Sequence, residues 1–494
     1  MNLRTLRQDI PAGLVVFLVA LPLCLGIAQA SGLPPFVGLL TGVIGGLVVT
    51  TFSPSKFAVS GPAAGLVTIV TGAIETLGSF SALLFALMVA GVLQFLLGVA
   101  RAGRFITLVP GTVIKGMLAA IGILLIMQQI PVALGVAEES DLATMVTGGA
   151  FSVSLPAIAV SAIGLFILWF WSTSTVKKIK ALSWIPGPLM AVLFGCMVTL
   201  IGGSFFPGLV SNLTRISLPE FNSIQALIGE VERPDWSVWQ NPAVYIVAVT
   251  LAIVASLETL LSQEALKKLR PQNPAPSPDK EMRAQGIGNL MSGFLGGLPI
   301  TAVIVRSSVN VSAGAQSKIS ILIHGVLLLV CGIFFSQILN AIPLASLAAV
   351  LLYTGYKLAT PRLFVEHFRK GAQQYVPFLA TIGGILVFGM LAGIGIGLAT
   401  QILFSIYKSH RNALVLTRYD DHFVLRFQQN LTFMHNPRLK GLLEEIPENS
   451  VVIVDHDNAE YIDPDVKAVL QDFGEGARKR GIVLNQWPVK LTPA

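Results

Sequence analysis

The chain has 494 residues, of which 53% are hydrophobic and only 12% charged, and its mean hydropathy is +0.74. A soluble domain carries about twice that charged fraction, so the composition excludes an ordinary soluble protein and defines a polytopic membrane protein. The formal net charge of +7 would suit a nucleic-acid partner, but the basic residues cluster in short loops between apolar runs, which excludes that reading.

Apolar segments recur along the chain at membrane length. About fourteen spans are expected, near residues 10–30, 36–52, 60–75, 80–100, 107–130, 153–172, 185–206, 242–263, 284–298, 299–314, 317–340, 343–359, 374–391 and 393–408. The first continues into further spans and reads as a retained span, not a leader peptide. Loops after even-numbered spans carry Lys56; Arg101 and Arg104; Lys177, Lys178 and Lys180; Lys267, Lys268, Arg270, Lys280 and Arg283; Lys318; and Arg362, Arg369 and Lys370. Of the loops after odd-numbered spans, the one after span 5 has Glu138, Glu139 and Asp141 without a basic residue, the one after span 7 has Arg215 and Arg233, and the rest have no basic residue. The positive-inside rule then sets both termini on the cytoplasmic side of a plasma (inner) membrane. Seven spans per half is an odd number, so two halves that fold alike insert in opposite orientations, as an inverted repeat. The expected organisation is a transporter domain over 1–410, with repeats at about 1–210 and 235–410, joined by a connector at 211–241.

Residues 411–494 change character. Alternating or buried-type strands at 423–427, 451–454 and 482–484 surround a helical stretch at 463–480, which suggests a small α/β domain.

Two breaks interrupt the membrane-grade sequence: Ser60-Gly61-Pro62-Ala63-Ala64 and Gly296-Gly297-Leu298-Pro299-Ile300-Thr301. Each opens an apolar segment too short to span, and each follows a longer span that begins at a proline, Pro11 or Pro242. Interrupted segments at matching places in two halves point to a transporter binding site. Broken helices present unpaired N–H groups and the positive ends of their dipoles, which suit an anion. The expected anion-binding positions are Ser60, Gly61, Ala63, Ala64, Thr301, Ala302, Val303 and Arg306. Ser60 and Thr301 have plainer roles open to them as helix caps, and Arg306 as the partner of a buried acid. That acid is Glu258, deep in the eighth span, with Ser256, Thr259 and Ser262 nearby. A carboxylate at that depth is costly and marks function; with Ser262, one turn on, it could hold Na⁺ or take up H⁺. Lys115 and His324 are expected to snorkel to the cytoplasmic interface.

Cys24, Cys196 and Cys331 all fall in apolar runs and define neither a disulfide framework nor a metal centre. No zinc-binding HExxH or phosphate-cradling GxxxxGK[ST] occurs. The expectation is a non-enzyme with no cofactor, whose partners are a small inorganic anion, a coupling Na⁺ or H⁺, and the bilayer.

The stretch from Pro22-Leu-Cys-Leu-Gly-Ile-Ala28 to Gly32-Leu-Pro34-Pro35 resembles the first-span signature of the SulP family of sulfate-permease-type anion transporters. Ser60-Gly61-Pro62-Ala63-Ala64 resembles that family's third span. Arg306-Ser-Ser-Val-Asn310 with Ala313-Gly314 resembles its tenth, and the tail resembles its STAS domain. The resemblance implies a seven-plus-seven inverted repeat with core and gate domains, an anion site between the starts of spans 3 and 10, elevator-like movement and a homodimer. The apolar Val19-Ala-Leu-Pro-Leu, with Leu23 and Ile27 where many members carry Gln and an aromatic, is more similar to the family's sodium-dependent bicarbonate transporters. Glu258, Ser262 and Thr301 match their cation-site positions, with Glu in place of Asp, which leaves Na⁺ and H⁺ both open. Asp465 stands where regulated relatives carry a phosphorylatable Ser or Thr. Symport of bicarbonate is the leading expectation; sulfate, dicarboxylate or nucleobase transport and an uncoupled channel or exchanger are the alternatives.

Overall fold

The computed structural model describes residues 3–106, 109–136, 153–173, 176, 185–205, 213–219, 229, 231–270, 272, 276–419 and 422–486. Glu138, Glu139, Asp141, Lys177, Lys178 and Lys180 lie outside the described residues.

In chain order the helices are α1 (Leu3–Ala30) and α2 (Pro35–Ile44), the latter prolonged by a π-helical turn at Gly45–Val49 and by Thr50–Phe52. Strand β1 (Ser60–Pro62) and a 3₁₀ turn (Ala64–Leu66) lead into α3 (Val67–Leu77). Then come α4 (Phe80–Val99), α5 (Gly111–Leu134), α6 (Leu155–Ser172), α7 (Gly187–Phe205), α8 (Pro242–Leu269) and α9 (Pro278–Phe294). Strand β2 (Ile300–Ala302) leads into α10 (Ile304–Ser312), followed by α11 (Ile319–Phe334), α12 (Leu344–Leu358), α13 (Ala372–Phe388) and α14 (Met390–Asn412). Among the described residues seven are long and apolar enough to cross a membrane: α1, α2 with its extension, α4, α5, α6, α8 and α14. The helices α7, α11, α13 and the segment Ala64–Leu77 are apolar but shorter.

Local chemistry sets these starts. Pro35 and Pro242 open α2 and α8, where a missing N–H costs nothing. The Asn241 carboxamide oxygen caps α8 by accepting from the Ala243 N–H at 3.0 Å, and Ser79 caps α4 by accepting from Ala82 at 3.2 Å. Helix α9 lies directly on α4. A Cβ on Gly91 would stand 2.5 Å from the Leu290 nitrogen and 2.7 Å from the Gly286 carbonyl oxygen, so only glycine permits this approach.

The breaks differ from expectation in form. The sequence predicts a helical start at each, but each begins as a three-residue strand, and the two strands pair antiparallel. Pro62 has no N–H to donate, and Gly61 brings no side chain. Backbone groups that a helix would have satisfied are met by the other break and by side chains of neighbouring helices instead.

The described chain divides into two compact units: Met1–Gly371 with Pro377–Gly397, and Ala372–Val376 with Leu398–Ala494. In the second unit β3 (Leu414–Tyr419) and β4 (His422–Phe427) form an antiparallel hairpin. β5 (Val451–Asp455) runs parallel to β4, and β6 (Val483–Gln486) parallel to β5. Helices α15 (Asn436–Glu444) and α16 (Pro464–Lys479) complete it. Leu425, Phe427, Val452, Val454, Leu439 and Val466 form its buried core. The hairpin partner β3 and the helix α15 had no counterpart in the sequence reading.

Candidate functional site

The strand pairing sets Ser60 opposite Ala302, Gly61 opposite Thr301 and Pro62 opposite Ile300. The two breaks are therefore one strand spacing apart, about 4.8 Å. Beyond the strands, Ala63 and Val303 begin the helical turns in extended conformation, and neither is capped by a side chain. The first-turn N–H groups of Ala64 and Gly65, and of Ile304 and Val305, lack intrahelical partners, so two positive helix ends start from one small sheet. Neither Ser60 nor Thr301 acts as the cap that was their plainer role. Ser60 Oγ accepts a hydrogen bond from Gln285, and Thr301 Oγ1 is buried with no partner.

Two expected donors are corrected. The Ala302 N–H donates to Thr259 Oγ1 at 3.1 Å, and the Val303 N–H to the Val59 carbonyl at 2.9 Å. Because the chain is still extended at Ala302 and Val303, both amides are engaged within the protein, and the unengaged donors lie further into α10.

Arg306, in the first turn of α10, is fully buried. Its Nη2 donates to the Pro62 carbonyl at 3.2 Å, its Nη1 lies against Gly61, and Nε and Nη1 have no partner. Its positive charge thus sits directly behind β1. Among the described residues it forms no ion pair with Glu258, which removes that structural role for both. The Glu258 side chain instead rests on Gly65: a Cβ there would lie 2.9 Å from Oε1 and 3.1 Å from Oε2. Glu258 is partly buried and its Oε2 has no hydrogen-bond partner. Ser262 is buried one turn further along α8. Hard cations take oxygen ligands, and the unpartnered Glu258 Oε2 and Thr301 Oγ1 are donors of that kind. His324, expected to snorkel, is fully buried on α11 with neither ring nitrogen hydrogen-bonded.

A polar stripe on α9 holds the strands in place. Glu281, Gln285, Asn289 and Ser292 follow at helical spacing and are all buried. Asn289 accepts from the Ile300 N–H at 2.6 Å and donates to its carbonyl at 3.1 Å, a mimic of a third strand. It also donates to Gln94 of α4, which donates to Ser256 of α8. Ser292 Oγ donates to the Leu298 carbonyl, whose own N–H donates to Thr41. Sequence reasoning missed this stripe: Gln285 and Asn289 fall in the expected span 284–298, but Glu281, four residues before Gln285, falls in the loop expected ahead of it.

A cavity of about 380 Å³ opens further along the same helices. Thr68 and Thr76 of α3, Thr250 of α8 and Leu124 of α5 line it; Thr68 is one turn beyond Gly65.

Residues 6–381 match the sulfate permease family, and the chain belongs to it. It is 29% identical over 416 residues to a putative sulfate transporter, YvdB, of Bacillus subtilis, spanning 82% of this chain and 75% of that one. It is 28% identical over 373 residues to the bicarbonate transporter BicA of a Picosynechococcus species, spanning 72% of this chain and 62% of that one. Among solved structures, the transmembrane domain of a cyanobacterial bicarbonate transporter BicA aligns with a TM-score of 0.66 at 23% identity, covering 81% of this chain and 98% of that one. SLC26A9 aligns with a TM-score of 0.78 at 13% identity, covering 98% of this chain and 85% of that one. At these identities the structures establish the fold. The chain is a multi-pass membrane protein of an anion-transporting family, not an enzyme.

Proposed function

We propose that the protein is a cation-coupled transporter of a small inorganic anion, bicarbonate, with Na⁺ or H⁺ as the coupling ion. The observation that carries this is the position of Glu258 against Gly65, at the N-terminal turn that would receive the anion. An ionised Glu258 repels an anion at that turn. Two unit charges about 4 Å apart interact by roughly 4 kcal/mol at an effective dielectric near 20. Binding Na⁺ at Glu258 Oε2, Ser262 and Thr301, or protonating Glu258, removes the repulsion. The empty transporter then takes up cation and anion together, which is the thermodynamic content of symport.

The anion is held by the Ala64 and Gly65 amides, those of Ile304 and Val305, the Arg306 charge behind the sheet and the Thr301 hydroxyl. Buried Leu23 and Ile27 on α1 add no polar group, which favours a small, singly charged anion over sulfate. The name of the Bacillus subtilis relative supports sulfate as the second reading. We assign fourteen spans in two inverted repeats, both termini to the cytoplasm of the cell membrane, the C-terminal sheet to a STAS domain, and transport to an elevator-like movement in a homodimer. Uptake of radiolabelled bicarbonate and sulfate into proteoliposomes, each under imposed Na⁺ or H⁺ gradients, tests this. Bicarbonate uptake driven by one gradient supports it; uptake of either anion that ignores both gradients overturns the coupling.

A further inference from the structure

Glu281 is a buried carboxylate with no part in the reading above. It sits on the first turn of α9, 1% exposed, and among the described residues no basic side chain pairs with it directly. Its two oxygens are both acceptors. Ser53 Oγ donates to Oε2 at 2.6 Å, and Gln285 Nε2 donates to Oε1 at 3.0 Å. The Lys318 ammonium is close by, donating to the Ser53 carbonyl, and supplies the compensating charge.

This arrangement fixes the direction of a hydrogen-bond chain. A carboxylate that receives hydrogen bonds at both oxygens only accepts. With the Glu281 carboxyl ionised beside Lys318, Gln285 turns its NH₂ group toward Glu281, since the flipped amide would set oxygen against oxygen. The second proton of that NH₂ group goes to Ser60 Oγ at 2.8 Å. Ser60 is thereby an acceptor toward α9, and its own hydroxyl proton has no acceptor among the described residues. A buried hydroxyl with an unused proton on β1 suits a solute that brings the acceptor.

We propose that Glu281 and Gln285 are positioning residues that make Ser60 a hydrogen-bond donor to the transported anion. This rests on the reading of the paired breaks as the anion site. Glu281 and Gln285 do not touch the anion; they act through Ser60, so their effect vanishes when Ser60 has no hydroxyl.

The test is a double-mutant cycle on the KM for radiolabelled bicarbonate and sulfate in proteoliposomes. Ser60→Ala is expected to raise KM about tenfold, the loss of one hydrogen bond to a charged group. Glu281→Gln, which lets the Gln285 amide turn either way, is expected to raise it several-fold, and so is the shape-matched Gln285→Met. Neither is expected to raise it further in the Ser60→Ala background. If one of the α9 variants does not fold, the other carries the cycle. A merely structural Glu281 would lower the unfolding temperature with KM unchanged, or change KM equally in both backgrounds; either result overturns the proposal. If Arg306→Ala raises KM and Ser60→Ala does not, the proposal falls and the anion-site reading stands. If neither variant changes KM, the anion-site reading falls with it.

Discussion

The carboxylate of Glu258 rests on Gly65, so closely that a methyl group there would stand 2.9 Å from Oε1. The first prediction follows. Gly65→Ala pushes the carboxylate away from the helix end and loosens the link between cation and anion. The expected outcome is folded protein with a several-fold higher apparent KM for the driving cation, read from uptake at varied Na⁺ or pH. An unchanged cation dependence would show that this contact plays no part in coupling.

Arg306→Ala removes the positive charge behind β1. Loss of an electrostatic interaction of about 1–3 kcal/mol corresponds to a rise in anion KM of roughly 5- to 150-fold, while kcat changes less. Its partner group, the Pro62 carbonyl, is left without that donor, so some stability is lost as well. Arg306→Lys keeps the charge and should recover part of the affinity. An anion KM insensitive to both variants would remove Arg306 from the site.

Asn289→Leu should cost stability before affinity. It strips the Ile300 N–H and carbonyl and the Gln94 carboxamide oxygen of their partner, and each buried group left unsatisfied costs about 1–3 kcal/mol. Thermal unfolding of the purified protein should fall by many degrees. Retention of the parental unfolding temperature would mean that α9 does not hold β2.

In the C-terminal unit, the Arg426 Nε donates to Asp455 Oδ2 at 2.7 Å. That hydrogen bond holds the Asp455 carboxyl below its usual range. A carboxyl with a lowered folded pKa contributes stability above its unfolded pKa of about 3.9 and loses it as pH falls through the folded value. The pair is partly exposed, so its contribution is under about 1 kcal/mol. Asp455→Asn should slightly lower stability at neutral pH and make no difference in strong acid. An equal loss at both extremes would assign the effect to packing.

How much of this was legible depends on the range of the interaction. The shortened apolar segments at Ser60 and Pro299 disclosed the breaks, because a span needs length and these lacked it. Glu258 and Arg306 stand out for a different local reason, as charges in apolar surroundings. The strand pairing of Gly61 with Thr301 joins residues 240 positions apart, and no local pattern encodes it. Thr259 and Ser262 look alike in sequence, and only the fold brings the Thr259 hydroxyl to the Ala302 N–H. The α9 stripe is legible as a polar period of four, since Glu281, Gln285 and Asn289 share one helix face, but a search for apolar runs does not register it. In the tail, β5 showed as a continuous apolar run, whereas the mixed composition of α15 concealed it.

Coupling of cation to anion through Glu258 can be tested in a single comparison. Parental protein and Glu258→Gln are reconstituted, and uptake of radiolabelled bicarbonate is measured under imposed Na⁺ and pH gradients, alongside anion exchange with no gradient. Gln keeps the shape and one carbonyl oxygen but loses the charge that holds Na⁺ or takes up H⁺. In Glu258→Gln, gradient-driven accumulation is expected to disappear while exchange persists. Accumulation in Glu258→Gln that still responds fully to either gradient would contradict it.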